Sequence, residues 1–303
     1  MMRQLVFILL LSGLACNRQK SAVETDTPTS GSIVVAVDES LTPLLQAEQE
    51  AFHALYEKAH IEMRFVSEAK AIELLLNDSV RMAVVTRKLT KEEEEVIKSR
   101  KISPRHITVA KEGVAIIAHK SNPDSTLTWM QLRDLIALGK YEDMKTQSPR
   151  VVFDEAQSGV VRYIKDSLLQ GKPFAKNSFA AGNSKALVDY VAGTKNTFGL
   201  IGSSWISDTD DSTTVRFLKK IQVVSISKDE DAYQPYQAYI AQKVYPLARS
   251  VIVISQEPRS GLGTGFVSFM SGDLGQRIVL KAGMVPAKMP LRVVSVKRGN
   301  ITN

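Results

Sequence analysis

The sequence predicts an α/β protein of two domains, each a mainly parallel sheet flanked by helices. Three observations carry this. A chain of 303 residues is about twice the length of an ordinary domain. Short β-branched apolar runs alternate along it with segments of helical periodicity, the rhythm of parallel strands joined by crossover helices. A composition of 44% hydrophobic and 23% charged residues excludes a disordered or fibrous chain. The net charge of +7 favours anionic small molecules, nucleic acid or membrane surfaces without choosing among them. The single cysteine, Cys16, excludes an internal disulfide and any cysteine-based metal cluster.

In chain order, the first element is a targeting segment. Arg3 supplies a positive start, and residues 5–11 (LVFILLL) form an unbroken apolar run. So short a run does not cross a hydrocarbon core, which takes roughly 20 helical residues. Gly13-Leu14-Ala15-Cys16 resembles the end of a bacterial lipoprotein signal, in which the cysteine is diacylated and opens the mature chain. Gly13 stands where that pattern usually has leucine; the alternative is an ordinary secretory signal with an incidental cysteine. Residues 1–15 are therefore expected as the signal peptide. Residues 16–32 are rich in Ser, Thr and Pro and bury no face, so they are expected as a flexible tether.

The body then begins. Residues 33–37 (IVVAV) form a buried strand. Thr42 is expected to cap the next helix, with Pro43 at its first position and Leu44, Leu45, Phe52, Leu55 and Tyr56 at helical spacing. Residues 61–66 read as the second strand, 71–76 as a helix and 82–85 as the third strand. Thr90 and Glu93 make a capping box that opens another helix. In the second block, 114–118, 150–153 and 197–201 read as strands, and 128–138, 158–169 and 185–191 as helices. Beyond Tyr245 the expectation is helical: from Pro246 onward, then 265–270 and 274–283.

Two helix N-termini directly follow strands and carry hydroxyls: Asp38-Glu39-Ser40-Leu41-Thr42-Pro43, and Asp154-Glu155-Ala156-Gln157-Ser158-Gly159-Val160. Free N–H groups and the positive end of the helix dipole make such places ready for anions. Glycine at 159 lets a ligand approach the backbone closely. Taken singly, Thr42 and Ser158 read as N-caps and nothing more. Thr86-Arg87 adds a hydroxyl and a permanent cation at the end of the third strand, where open α/β sheets bind ligands. Three such loops in one chain point to an oxyanion site. The four histidines lack metal-ligand spacing, and residues 261–265 (GLGTG) lack the dinucleotide fingerprint and read as a loop before a helix. Ser158 has no nucleophile-elbow context, and the dispersed lysines and arginines count against a nucleic-acid groove. No cofactor and no metal are expected.

Several segments carry a family resemblance. They are Tyr245-Pro246-Leu247-Ala248-Arg249, Gly265-Phe266-Val267-Ser268-Phe269, Gly275-Gln276-Arg277-Ile278-Val279 and Ala282-Gly283-Met284-Val285-Pro286. His119-Lys120-Ser121-Asn122-Pro123 and Phe198-Gly199-Leu200-Ile201-Gly202 belong with them. In this order they resemble the substrate-binding proteins of bacterial phosphate ABC transporters, in the type II periplasmic binding protein superfamily. The resemblance implies two α/β domains joined by two crossing strands, with the anion enclosed between them. The crossings are expected near 111–114 and 237–240, giving one discontinuous domain of 33–112 and 240–303 and a second of 113–239. The phosphate-binding positions it implies are Glu39 and Ser40, Thr86 and Arg87, and Ser158, Gly159 and Val160.

Here the chain departs from the family pattern. Arg-x-x-x-Ser-Gly-Thr is replaced by Asp154-x-x-x-Ser158-Gly159-Val160, and the acidic residue after the third strand by Arg87. Cation and carboxylate have exchanged domains. A guanidinium for charge, with Asp38 or Asp154 admitting only a protonated oxyanion, keeps the same design. Arg162, one turn into the second helix, is a candidate for the missing arginine, or else faces solvent. The implied protein is a non-enzymatic, monomeric lipoprotein of the bacterial envelope. It faces the periplasm, is anchored through Cys16 and delivers phosphate to an ABC permease. The alternatives are a relative that binds another oxyanion or acts as a sensor, and a phosphate-ester hydrolase, for which the chain shows neither metal set nor activated nucleophile.

Overall fold

The computed structural model describes residues 26–288 apart from 209, 211 and 229, so the expected signal peptide and Cys16 lie outside the described residues. The chain opens with β1 (Gly31–Asp38), a single 3-10 turn (Glu39–Leu41), α1 (Thr42–Leu55), β2 (Ala59–Val66), α2 (Glu68–Leu76), β3 (Met82–Val85) and α3 (Lys91–Lys98). A long strand, β4 (Arg105–His119), leads to β5 (Thr126–Thr128), α4 (Trp129–Leu138), β6 (Arg150–Phe153), α5 (Gly159–Ser167), β7 (Ser178–Ala180), α6 (Ser184–Gly193) and β8 (Thr197–Gly202). Then come α7 (Ser204–Ser207), α8 (Ser212–Leu218), β9 (Ile221–Val223), β10 (Ser225–Ser227), β11 (Ala232–Tyr233) and α9 (Gln237–Ala241). The chain closes through β12 (Ala248–Ser255), α10 (Leu262–Met270), α11 (Asp273–Lys281) and β13 (Val285–Pro286).

Strands order as β2-β1-β3-β12-β4-β8-β6-β7, with β9 and β13 also pairing β4. The outer pairs are parallel, while β12 and β4 are antiparallel to their neighbours. β4 joins the two halves: it pairs β12 from Arg105 to Gly113, then β8 from Val114 onward. We call the β2-β1-β3-β12 side the first half and the β8-β6-β7 side the second. Period-2 alternation feeds two cores in each half. Val35, Val37, Met82, Val84, Val251 and Val253 pack under α1, α10 and α11, while Ala36, Ala83, Val85, Ile252 and Ile254 face α2 and α3. In the second half, Ile116, Val151 and Leu200 meet α4 and α5, and Ile117, Val152 and Ile201 meet α6.

Four expectations are corrected. Residues from Pro246 onward do not form a helix: 248–255 is β12, whose Val251 to Ile254 alternate between the two cores of the first half and so need strand geometry. Residues 237–240 are not a crossing strand but lie in α9, where Ile240 N–H bonds Tyr236 O at 3.0 Å and Ile240 alone is buried. Thr42 is not the N-cap. It is the first residue of α1, its hydroxyl donates to Glu39 O at 2.6 Å, and Asp38 caps the preceding 3-10 turn by accepting from Ser40 N. Lastly, residues 26–32 leave the expected tether and join the fold. The Asp26 carboxylate accepts from Arg81 at 3.0 Å, Arg259 at 3.0 Å and the α10 backbone at Leu262 N at 2.9 Å.

The same docking rests on Gly265, where an added Cβ would lie 1.8 Å from Pro28 O. Gly265→Ala is expected to cost about 1–3 kcal/mol by overpacking and to make residues 26–30 newly sensitive in limited proteolysis. An unchanged digestion pattern would count against this account.

Candidate functional site

The C-terminal ends of β1, β2, β3 and β6 meet beside the point where β4 changes partner. Open α/β sheets leave their strand ends free at such places, and the helix that follows each strand turns its N-terminus inward. β1 delivers Asp38, Glu39 and Ser40; β2 delivers Ser67 and Glu68; β3 delivers Thr86; β6 delivers Asp154 and then Ser158 and Gly159. Ser158 caps α5, its side chain accepting from Val161 N at 3.2 Å. Ser67 caps α2 in the same way.

Two arginines enter this cluster. Arg249, on β12, lies opposite Glu112 on β4 and donates to it from Nε at 2.9 Å and Nη2 at 2.6 Å. The same Nη2 reaches Ser40 Oγ at 2.8 Å. Arg162, one turn into α5, donates from Nε to Glu68 Oε1 and from Nη2 to Thr86 Oγ1 at 2.9 Å. It therefore reaches across to the first half instead of facing solvent. Glu68 Oε2 accepts from Thr86 N at 2.8 Å and Thr86 Oγ1 at 2.5 Å. Asp38 Oδ2 accepts from Gly159 N at 3.2 Å, and Asp154 Oδ1 from Ser158 Oγ at 2.5 Å and Glu155 N at 2.8 Å. Three buried atoms of the cluster are left without hydrogen-bond partners: Nη1 of Arg249, Oε2 of Glu112 and Oδ2 of Asp154.

Burial governs the charge here. It pushes Asp38 well above the ordinary carboxylate range, Arg249 opposing and the charges of Glu68 and Asp154 adding to the rise. Burial likewise lifts Asp154 to about 7, against hydrogen bonds from Ser158 and Glu155 N–H that pull it down. Burial also acts to raise Glu68, but hydrogen bonds from Arg162 and Thr86 outweigh it and hold that carboxylate below its usual value. Among the described residues no cluster of three or more His, Cys, Asp or Glu is arranged to hold a metal ion. The cluster offers guanidinium, hydroxyl and backbone donors beside two carboxyls raised by burial, Asp38 and, at about 7, Asp154, an arrangement suited to a partly protonated oxyanion.

Of the residues expected from the sequence, Asp38, Ser40, Thr86, Asp154, Ser158, Gly159 and Arg162 come together. Glu39 lies at the rim, where its carboxylate accepts from Ser184 N and, at 2.7 Å, from Ser184 Oγ at the start of α6. Val160 contributes backbone only, its side chain being buried in the second-half core. Arg87 is turned elsewhere: both terminal nitrogens bond the Glu93 carboxylate at 2.7 Å, because the capping-box glutamate of α3 presents a matching fork. Arg249, Glu112 and Glu68 were missed as site residues. Ser67-Glu68 follows a strand just as Thr86-Arg87 does, and that was its readable signal. A lone arginine two residues before the apolar run 251–254 was the signal for Arg249.

Comparison with known proteins places the fold. A family model described as PBP superfamily domain matches residues 22–273. The chain is 23% identical over 285 residues to the phosphate-binding protein PstS of Pseudomonas aeruginosa, covering 87% of this chain and 85% of that one. Protein SphX of Synechococcus elongatus is 22% identical over 268 residues, covering 84% and 77%. Among solved structures, a putative phosphate ABC transporter substrate-binding protein with bound phosphate from Clostridium perfringens superposes with a TM-score of 0.70 at 22% identity, covering 85% of this chain and all 100% of that one. An ABC-type phosphate transport receptor from Vibrio cholerae gives 0.62 at 18% identity, covering 84% and 100%. At these identities the structural likeness establishes the fold. The resemblance read from the sequence and the fold class it implied are both upheld.

Proposed function

Because this chain belongs to the PBP superfamily and has the type II fold of its phosphate-binding relatives, we propose that it binds inorganic phosphate and hands it to an ABC permease. The supporting observation is that two of the unpartnered buried atoms, Arg249 Nη1 and Asp154 Oδ2, are a donor and an acceptor. One is a donor for a phosphate oxygen. The other accepts the proton that hydrogen phosphate carries and sulfate lacks. The helix N-terminus at Ser158–Gly159, Arg162 and the Ser40 and Thr86 hydroxyls complete the set. In this reading the first half, built on β1, β2, β3 and β12, and the second half, built on β6, β7 and β8, are the two domains that close on the anion. The protein is a monomer tethered through a lipid on Cys16, facing the periplasm, and a carrier, not a catalyst.

Phosphate at about one hundred times its dissociation constant is expected to add about 2.7 kcal/mol of stability, read as a rise of several degrees in melting temperature. Sulfate should do nothing at pH 8, where Asp154, titrating at about 7, is ionised and repels it. As pH falls below about 6 that carboxyl becomes neutral and a sulfate shift should emerge. Asp154→Asn should admit sulfate at pH 8 as well. Equal stabilisation of the wild type by both anions at pH 8 would refute the carboxyl filter. No shift with phosphate at any pH would refute the phosphate reading.

A further inference from the structure

Carboxylates of the first half rest on donors of the second. Asp38 accepts from Gly159 N at the start of α5, Glu39 from Ser184 at the start of α6, and Glu68 from Arg162. Glu68 stands apart because its donor set is complete. Its two oxygens take a backbone N–H and a hydroxyl from Thr86 together with Nε and Nη2 of Arg162. A main-chain amide, a hydroxyl and a guanidinium edge are what a tetrahedral oxyanion takes from a protein. The glutamate reaches them from the first position of α2, held there by the Ser67 cap. The approach depends on the missing side chain at 159, where a Cβ would lie 2.8 Å from Glu68 Oε2 and 2.6 Å from Thr86 Oγ1. The Glu68 side chain is 3% exposed and that of Arg162 27%. The pair is therefore largely shielded from water and salt, unlike a surface bridge.

We propose that Glu68 is a built-in counter-ligand: its carboxylate takes the Thr86 and Arg162 donors, latches the two halves of the sheet together, and must be displaced before an oxyanion uses those donors. The latch stands on the geometry alone; only the identity of the displacing anion rests on the phosphate reading. Two like charges do not share one guanidinium edge and one amide, so the exchange is competitive. Glu68 thereby sets the affinity and keeps weakly bound anions out, since each must outbid a tethered carboxylate already in place.

Small-angle scattering in anion-depleted buffer and calorimetric titration with inorganic phosphate test this on the full chain. Glu68→Gln keeps the shape but loses the charge; it is expected to enlarge the radius of gyration without phosphate. It should also tighten phosphate binding by about tenfold or more. Arg162→Gln breaks the same latch from the other side, so it should open the protein equally while weakening phosphate binding, which separates latch from ligand contact. If Glu68→Gln leaves the radius of gyration unchanged, the latch is refuted. If it opens the protein but weakens phosphate binding, Glu68 is a ligand contact and the competition is refuted. If it opens the protein and neither form binds phosphate, the latch is upheld and the phosphate reading falls instead.

Discussion

Replacing Arg249 with methionine is expected to lower stability by about 3–5 kcal/mol and to abolish the phosphate-induced rise in melting temperature. The arginine and Glu112 face each other across β12 and β4 with side chains 1% and 0% exposed. Methionine would leave a carboxylate buried without its cation, at the strand pair that joins the two halves. The loss therefore comes from the stranded Glu112 more than from the missing contact. Arg249→Met combined with Glu112→Leu is expected to recover most of the stability, because neither charge then needs solvating inside the fold. The double variant should still not respond to phosphate, since the free Nη1 of Arg249 and the Nη2 bond to Ser40 are both gone. Urea unfolding measures the first effect and thermal shift the second. A single variant as stable as the parent would show that the pair is solvated. A double variant that responds to phosphate would remove Arg249 from the site.

The second large effect lies away from the site. Glu48, on α1, sits one turn from Leu44 and from Phe52, is 1% exposed, and neither of its oxygens has a hydrogen-bond partner. Burial pushes its carboxyl from 4.5 up to about 9. Between those two values the unfolded chain releases this proton while the folded protein keeps it. Stability therefore falls as pH rises through that window, by about 1.4 kcal/mol per pH unit. By pH 7 the accumulated loss is about 3 kcal/mol, and it is complete only above pH 9. Glu48→Met should fill the space with apolar atoms, remove that slope and raise stability at pH 7 by up to about 3 kcal/mol. Towards pH 4.5 the advantage should shrink. Parallel stability curves for parent and variant from pH 5 to 9 would disprove the assignment.

The local parts of the molecule were legible in advance. The strands at 33–37, 82–85 and 150–153 are announced by β-branched runs of strand length, and Thr90 and Ser158 cap the helices they precede. The loops at Asp38–Ser40, Thr86 and Asp154–Gly159 were recognisable because hydroxyls, glycine and strand ends are neighbours in sequence. β12 was misread since an apolar run after a proline suits a helix or a strand alike; only its place between β3 and β4 selects the strand.

Charge pairing was decided by tertiary structure alone. Arg249 and Glu112 are 137 residues apart, Arg162 and Glu68 are 94 apart, and Asp38 and Gly159 are 121 apart. No periodicity links such positions, because they meet only through strand register and the packing of one helix against another sheet half. Arg87 shows the same limit in reverse: its sequence neighbour Glu93 takes the guanidinium that strand position alone assigned to the site. The sequence thus determined many of the strands and helices, though not β12 or α9, and which hydroxyl-bearing strand-end loops come together. Which arginine faces which carboxylate depended on burial, since a charge withdrawn from water is held only where the fold brings it a partner.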